Sequence, residues 1–173
     1  MSVTIANRQR VRKINLRLLK KIAAALLAEL EIQKAEIGIC LVAAPEMTRL
    51  NETFLKHEGS TDVITFDYSD KTVGADVRRL LNKKTSTQKR RETPHVVSYK
   101  LIPGEIFICV DEAVLQARKY GTSWPSEVVR YLVHGVLHLL GFDDSSAGAR
   151  REMKREENRR VREMTRRFPL SRL

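Results

Sequence analysis

The sequence has few residues that could cross-link it covalently. Its two cysteines, Cys40 and Cys109, are far apart, form no C-x-x-C pair and sit in apolar runs. Such positions are typical of buried thiols, whereas a disulfide framework needs more cysteines at regular spacing. We therefore expect free cysteines and a reducing compartment.

Long hydrophobic runs are also absent. No segment reaches the roughly 18 apolar residues that a membrane-spanning helix requires. The apolar run over 22–28 follows a basic segment, as in a secretion signal, but Glu29 and Glu31 interrupt it and no small-residue cleavage site follows. The sequence favours a soluble, cytoplasmic protein with no membrane partner.

Glycine and proline are scarce, with eight and five residues, while hydrophobic residues make up 42% of the 173. This balance argues against a low-complexity or disordered chain. The length is typical of one domain with a single core. We therefore predict a single domain over 1–173.

Acidic residues are outnumbered, at 21 against 32 Lys and Arg, which gives a net charge of +11 and a pI of about 10.0. The excess lies in 71–100, with nine basic and two acidic residues, and in 150–173, with ten and four. Clustered Lys and Arg bind nucleic acid by displacing counterions from phosphates, so a polyanion is the favoured partner. The alternatives are an ordinary solvated surface and, as a minor option, an acidic membrane surface. The candidate nucleic-acid-binding residues are Arg78, Arg79, Lys83, Lys84, Lys89, Arg90 and Arg91, and the C-terminal segment adds Arg159, Arg160, Arg166 and Arg167.

Hydrophobic periodicity predicts alternating strands and helices. Strands are expected over 3–5, 37–41, 63–66, 96–101 and 105–110. Helices are expected after an N-cap at Asn15, over 45–57 with Met47, Leu50 and Phe54 on one face, and over 111–120, 125–140 and 146–166. The fold class is therefore α/β of the mixed α+β kind, a small mixed sheet packed by helices. A basic surface insertion is expected at 71–92, and the C-terminal helix at 146–166 is also basic.

The helix predicted over 125–140 is apolar on nearly every side and should be buried at the centre of the fold. It carries His134 and His138, whose i, i+4 spacing places both imidazoles on one face. A core histidine without a ligand is the ordinary alternative. However, Gly141 can end the helix, and Asp143 and Asp144 then return beside it, so a third ligand is available. Three protein ligands with an open position are typical of a catalytic zinc site, whose bound water is the only nucleophile that the sequence indicates.

Gly135 discriminates among reaction classes. Peptidases with the H-E-x-x-H motif carry a glutamate after the first histidine as the general base. Glycine stands there in this chain, so peptide hydrolysis by that route lacks its base.

The segment H-G-V-L-H-L-L-G-F-D-D resembles the signature of the YbeY family, bacterial endoribonucleases of ribosomal RNA maturation, whose motif is H-G-x-L-H-L-x-G-Y-D-H. Phe142 stands for the family tyrosine, and Asp144 stands for the third histidine ligand. Further similar segments follow in the same order: Leu50-Asn51, Thr61-Asp62-Val63, Gly104-Glu105-Ile106 and the spacing from Met153 to Glu156. The resemblance implies one zinc ion held by His134, His138 and Asp144, since a carboxylate oxygen also binds zinc.

The resemblance implies a zinc-dependent, single-strand-specific endoribonuclease that matures the 3′ end of small-subunit (16S) ribosomal RNA and acts in ribosome quality control. Its partners would be ribosomal RNA and the small ribosomal subunit. One departure is Leu55, which stands where the family has an arginine, and the resemblance implies that this arginine would help bind the phosphodiester. A ribosome-associated RNA-binding assembly factor with a structural or weakly active metal site is therefore the alternative, and a metallohydrolase of another substrate is a third.

Overall fold

A mixed four-stranded sheet forms the centre of the protein, which a computed structural model describes over residues 1–69 and 101–173. The strands are β1 (Ser2–Asn7), β2 (Lys34–Val42), β3 (Val63–Asp67) and β4 (Leu101–Cys109). Their spatial order is β1-β2-β4-β3, and only the β3–β4 pair is antiparallel. This sheet, with the helices packed on it, confirms the predicted α/β class with a mixed sheet.

Within the described ranges, five α-helices connect and cover these strands. They are α1 (Leu16–Glu29), α2 (Ala44–Leu50), α3 (Val110–Tyr120), α4 (Trp124–Leu139) and α5 (Ala147–Arg167). A π-helical turn (Asn51–Leu55) follows α2, and a 3-10 turn (Leu170–Arg172) follows α5. The predicted cap at Asn15 is confirmed, since its side chain accepts a hydrogen bond from the Leu18 amide at 3.1 Å.

The main core lies between one face of the sheet and helices α1, α4 and α5. Alternate residues of β2 (Ile37, Ile39 and Leu41) are buried on this face, level with Ile106 and Ile108 of β4. These side chains pack with α1 and α4, so the period-two pattern in the sequence reports the sheet face correctly. A smaller cluster around Met47 and Phe107 fills part of the opposite face.

The expectation of one continuous helix over 45–57 is wrong. The α-helix ends at Leu50, and the π-helical turn that follows changes the direction in which the next side chains point. As a result Phe54 is 58% exposed, with its ring edge-to-face on Phe66, instead of joining Met47 in the core. Lys56 then ends the segment in the left-handed region at φ 59°.

Several other expectations can be compared with the described residues. Val110 begins α3 and does not close a strand. The basic insertion at 71–92 and most of the strand predicted over 96–101 lie outside the described residues. Both cysteines are free thiols. No helix in the described ranges is both long and apolar enough to span a bilayer.

Candidate metal centre

Helix α4 carries the two histidines through the core of the fold. Ser123 caps its first turn, Pro125 occupies a position where no amide hydrogen is needed, and Gly141 leaves the helix at φ 83°. Eleven residues of this helix are buried, as the all-round apolar pattern predicted. The rigid helix therefore fixes the backbone that presents His134 and His138.

The two imidazoles present the same nitrogen to a common point. Nε2 of His134 lies 3.0 Å from Nε2 of His138. The opposite nitrogens both face acceptors: His134 Nδ1 is 3.0 Å from a Glu157 carboxylate oxygen, and His138 Nδ1 is 3.1 Å from the Phe142 carbonyl oxygen. With Nδ1 donating in each ring, both Nε2 lone pairs are free for a metal ion.

The protonation state of His138 also suits metal binding. Burial, and then the neighbouring His134, lower the pKa of His138 below its usual range, against the opposing effect of Asp144. A neutral imidazole is the form that binds a metal ion. At neutral pH, His138 is therefore ready to act as a ligand without first losing a proton.

The loop after α4 brings one carboxylate to the histidine pair. Ligand atoms of His134, His138 and Asp144 all lie within 4.8 Å of one another. Asp143 turns away, since its carboxylate accepts hydrogen bonds from the backbone amide and the hydroxyl of Ser145. These contacts support Asp144, rather than its neighbour, as the third ligand. Two imidazoles and one carboxylate are a donor set that fits zinc.

Glu157 on α5 contacts His134 of the histidine pair at Nδ1, the nitrogen that faces away from His138. Burial raises the pKa of this carboxyl, but hydrogen bonds from His134, Lys154 and Arg130 outweigh that effect and lower it to about 2. The residue is 4% exposed, so the anion is held almost entirely inside the protein. An anionic acceptor on Nδ1 fixes the orientation of the His134 ring and makes Nε2 a stronger ligand.

His134 and Asp144 line a cleft of about 380 Å³ between α4 and α5. Sequence reasoning missed most of its lining. The residues around it are Asp62, Arg130, Tyr131, His134, Asp144, Arg150, Met153, Lys154 and Glu157. Arg130 precedes His134 by four residues on the same helix face, so helical spacing was the signal that could have identified it.

Leu55 does not line this cleft, although the resemblance aligns it with the family arginine. It sits in the π-helical turn and is 46% exposed. The basic side chains that do line the cleft come from α4 and α5 instead.

Gly135 allows α4 to lie directly against the sheet. A Cβ atom at this position would meet Cγ2 of Ile106 at 2.6 Å, closer than real Cβ atoms approach their neighbours. Any side chain, including the glutamate of H-E-x-x-H peptidases, would therefore require the Ile106 side chain or the helix to shift. Glycine at position 135 therefore allows close packing of α4 on β4.

The predicted RNA-binding residues divide into two groups. Arg78, Arg79, Lys83, Lys84, Lys89, Arg90 and Arg91 lie outside the described residues. In α5, Arg160 is buried and forms ion pairs with Glu29, Glu156 and Glu163. Arg159, Arg166 and Arg167 are exposed, and Arg159 and Arg167 also pair with carboxylates. The assignment of Arg160 to nucleic-acid contact is therefore wrong, because its charge is used within the protein.

The fold and the site together define a class of α/β protein in which a buried helix presents a candidate three-ligand metal centre. Among solved structures, the chain is similar to the solution structure of TM1509 from Thermotoga maritima, with a TM-score of 0.58 and 20% identity, covering 98% of this chain and 95% of that one. At that identity the likeness shows the fold.

Sequence comparison identifies the family. The family model described as Endoribonuclease YbeY matches residues 2–165. The Endoribonuclease YbeY of Elusimicrobium minutum is 31% identical over 142 residues, covering 82% of this chain and 83% of that protein. That of Myxococcus xanthus is 35% identical over 127 residues, covering 73% of this chain but only 36% of the longer relative. The chain belongs to the YbeY endoribonuclease family, a family of metal-dependent hydrolases.

Proposed function

We propose that this protein is a zinc-dependent endoribonuclease that cuts single-stranded RNA. Its role would be 3′-end maturation of small-subunit (16S) ribosomal RNA and ribosome quality control, performed in the cytoplasm by one domain over 1–173. The observation that carries the proposal is the convergence of both histidine Nε2 atoms with the Asp144 carboxylate, beside a cleft that His134 and Asp144 line. Ribosomal RNA and the small ribosomal subunit are the partners.

His134, His138 and Asp144 would hold the metal ion. Zinc in a three-ligand site supplies a Lewis acid and an activated water at neutral pH. The chain itself orients the ligands: Glu157 and the Phe142 carbonyl hold the two imidazoles in the required tautomer. Arg130, Arg150 and Lys154 line the cleft where an RNA phosphodiester would bind.

Affinity for RNA would come mainly from phosphate contacts. Aromatic residues are only 6% of the chain, so base stacking has few candidates. The basic segment at 71–92 and the exposed α5 residues Arg155, Arg162 and Arg166 are the proposed contacts. Phosphate contacts of this kind predict binding that weakens steeply with salt.

The test is cleavage of a single-stranded RNA from the 3′ end of small-subunit ribosomal RNA. We expect the zinc-loaded protein to cut it, with activity lost on chelation and in His138→Ala. The matched control is His57→Ala, an exposed histidine outside the cleft, which should cut normally. Equal cutting by His138→Ala, or cutting that a chelator leaves unchanged, would contradict the proposal.

A ribosome-associated assembly factor is the second candidate, because Leu55 removes the family arginine and lies away from the cleft. In that case His134→Ala would change stability alone and leave RNA binding intact. The nuclease predicts instead that cleavage is lost while binding is retained.

A further inference from the structure

Two of the three basic side chains in the cleft are already neutralised. Arg130 and Lys154 both contact Oε1 of Glu157, the lysine at 2.8 Å. Arg130 also lies 3.6 Å from a carboxylate oxygen of Glu127 and donates to the Asn158 side chain at 2.9 Å. These two cations hold the Glu157 carboxylate in place, so their charge stabilises the anion that orients His134 and is not free to bind a phosphate.

Arg150 is bound in a different way. Its Nε donates to the backbone carbonyl oxygen of Asp144 at 3.2 Å. Within residues 1–69 and 101–173, no carboxylate forms an ion pair with it. The side chain is exposed and lines the cleft, so both terminal nitrogens of its guanidinium group remain available there.

The position of Arg150 suits a phosphodiester at the candidate metal centre. The bond to the Asp144 carbonyl ties the guanidinium to the residue proposed as the third ligand. A planar guanidinium group can donate two parallel hydrogen bonds to phosphate oxygens, and its charge stabilises negative charge that develops there. Leu55 offers neither interaction and does not line the cleft.

We propose that Arg150 is the phosphate-binding residue of this site and contacts the nonbridging oxygens of an RNA phosphodiester. The proposal rests on the proposed nuclease function, because RNA is the substrate assumed. It assigns to the first turn of α5 the positive charge that the chain lacks at Leu55.

The test compares Arg150→Gln with Arg118→Gln. Arg118 is exposed in the last turn of α3 and does not line the cleft, so its loss changes the net charge equally. The probe is a short single-stranded RNA with 2′-O-methyl groups, which resists cleavage. Its affinity for the chelator-treated proteins is measured by fluorescence anisotropy over a series of salt concentrations, so the readout does not depend on activity or on bound metal.

We expect Arg150→Gln to reduce the slope of log affinity against log salt by about 0.7, which corresponds to a roughly 5-fold loss of affinity at 0.1 M salt. Arg118→Gln should bind as the unmodified protein does. In the zinc-loaded proteins, Arg150→Gln should lower kcat/KM for a cleavable strand by more than it lowers affinity, because developing charge is stabilised only during reaction.

An unchanged salt slope for Arg150→Gln would overturn the assignment, and so would an equal loss in Arg118→Gln. A loss of affinity without a change in slope would also overturn it, because that result indicates a structural role in the Asp144 loop. Failure of the nuclease proposal looks different: the unmodified protein would then fail to cut RNA with zinc, whatever the binding results for Arg150→Gln.

Discussion

Replacing Glu157 with glutamine tests how the protein prepares its metal ligands. Both carboxylate oxygens are in use: Oε2 faces His134 Nδ1 at 3.0 Å, and Oε1 accepts from Arg130 and from Lys154. Glutamine has the same shape but only one acceptor oxygen. Whichever way its amide turns, the NH2 group faces either the imidazole N–H or two cations.

The expected loss is substantial because the site is buried. If the amide oxygen faces His134, a neutral acceptor replaces an anionic one, and charge-assisted hydrogen bonds are roughly twice as strong as neutral ones. Residues that orient a metal ligand typically contribute about 10- to 100-fold in metal affinity, equivalent to about 1.4 to 2.7 kcal/mol. We therefore expect Glu157→Gln to weaken zinc binding by that range while the protein stays folded.

Competition with a zinc-binding dye measures this affinity, and circular dichroism checks the fold. The matched control is Glu163→Gln on the same helix, where the carboxylate pairs with Arg159 and Arg160 but does not line the cleft. If Glu157→Gln and Glu163→Gln both bind zinc within about 3-fold of the unmodified protein, a supporting role of the kind described here is refuted.

Three further predictions concern packing, ligand choice and charge. Gly135→Ala should destabilise the protein by about 1 to 3 kcal/mol in urea denaturation, because the added Cβ meets the Ile106 side chain. This loss of stability should be smaller when Ile106 is also replaced with alanine, and an equal loss in that background would contradict the packing explanation. Asp144→Ala should reduce zinc affinity by more than roughly 100-fold, which is the largest loss expected for a residue that only supports a ligand, whereas Asp143→Ala should retain zinc. If Asp143→Ala instead loses zinc and Asp144→Ala retains it in the same dye assay, the roles of the two aspartates are exchanged. Arg160→Met should lower the free energy of unfolding by about 2 kcal/mol, since carboxylates of α1 and α5 then lose the positive charge that pairs with them. A variant that is more stable than the unmodified protein in thermal denaturation would contradict this prediction.

Features fixed by local interactions could be predicted from the sequence. The cap at Asn15, the alternation in β2 and the left-handed end of α4 at Gly141 depend on residues close in the chain, and all are present. The i, i+4 histidine pair belongs to the same class, because helix geometry alone brings the two rings together. The local sequence also distinguishes the two aspartates as candidate ligands. An Asp two residues before a Ser can form a side-chain turn, and this turn occupies the Asp143 carboxylate.

Features that depend on tertiary packing could not be predicted in this way. Glu157 is 23 residues beyond His134, and only the packing of α5 on α4 brings them together. The pairing of Arg160 with Glu29 depends in the same way on the approach of α5 to α1. The net charge of the C-terminal segment therefore includes cations that pair with carboxylates within the fold. Fewer positive charges are available to bind RNA than the net charge indicates.

The metal content of protein purified without added metal or chelator shows whether His134, His138 and Asp144 hold a zinc ion. Elemental analysis should compare the unmodified protein with His138→Ala and with the control His57→Ala. We expect one zinc ion per chain in the unmodified protein and in His57→Ala, and none in His138→Ala. An unmodified protein that contains no metal and takes up none on titration, or a His138→Ala variant that keeps its full zinc content, would contradict the proposed metal site.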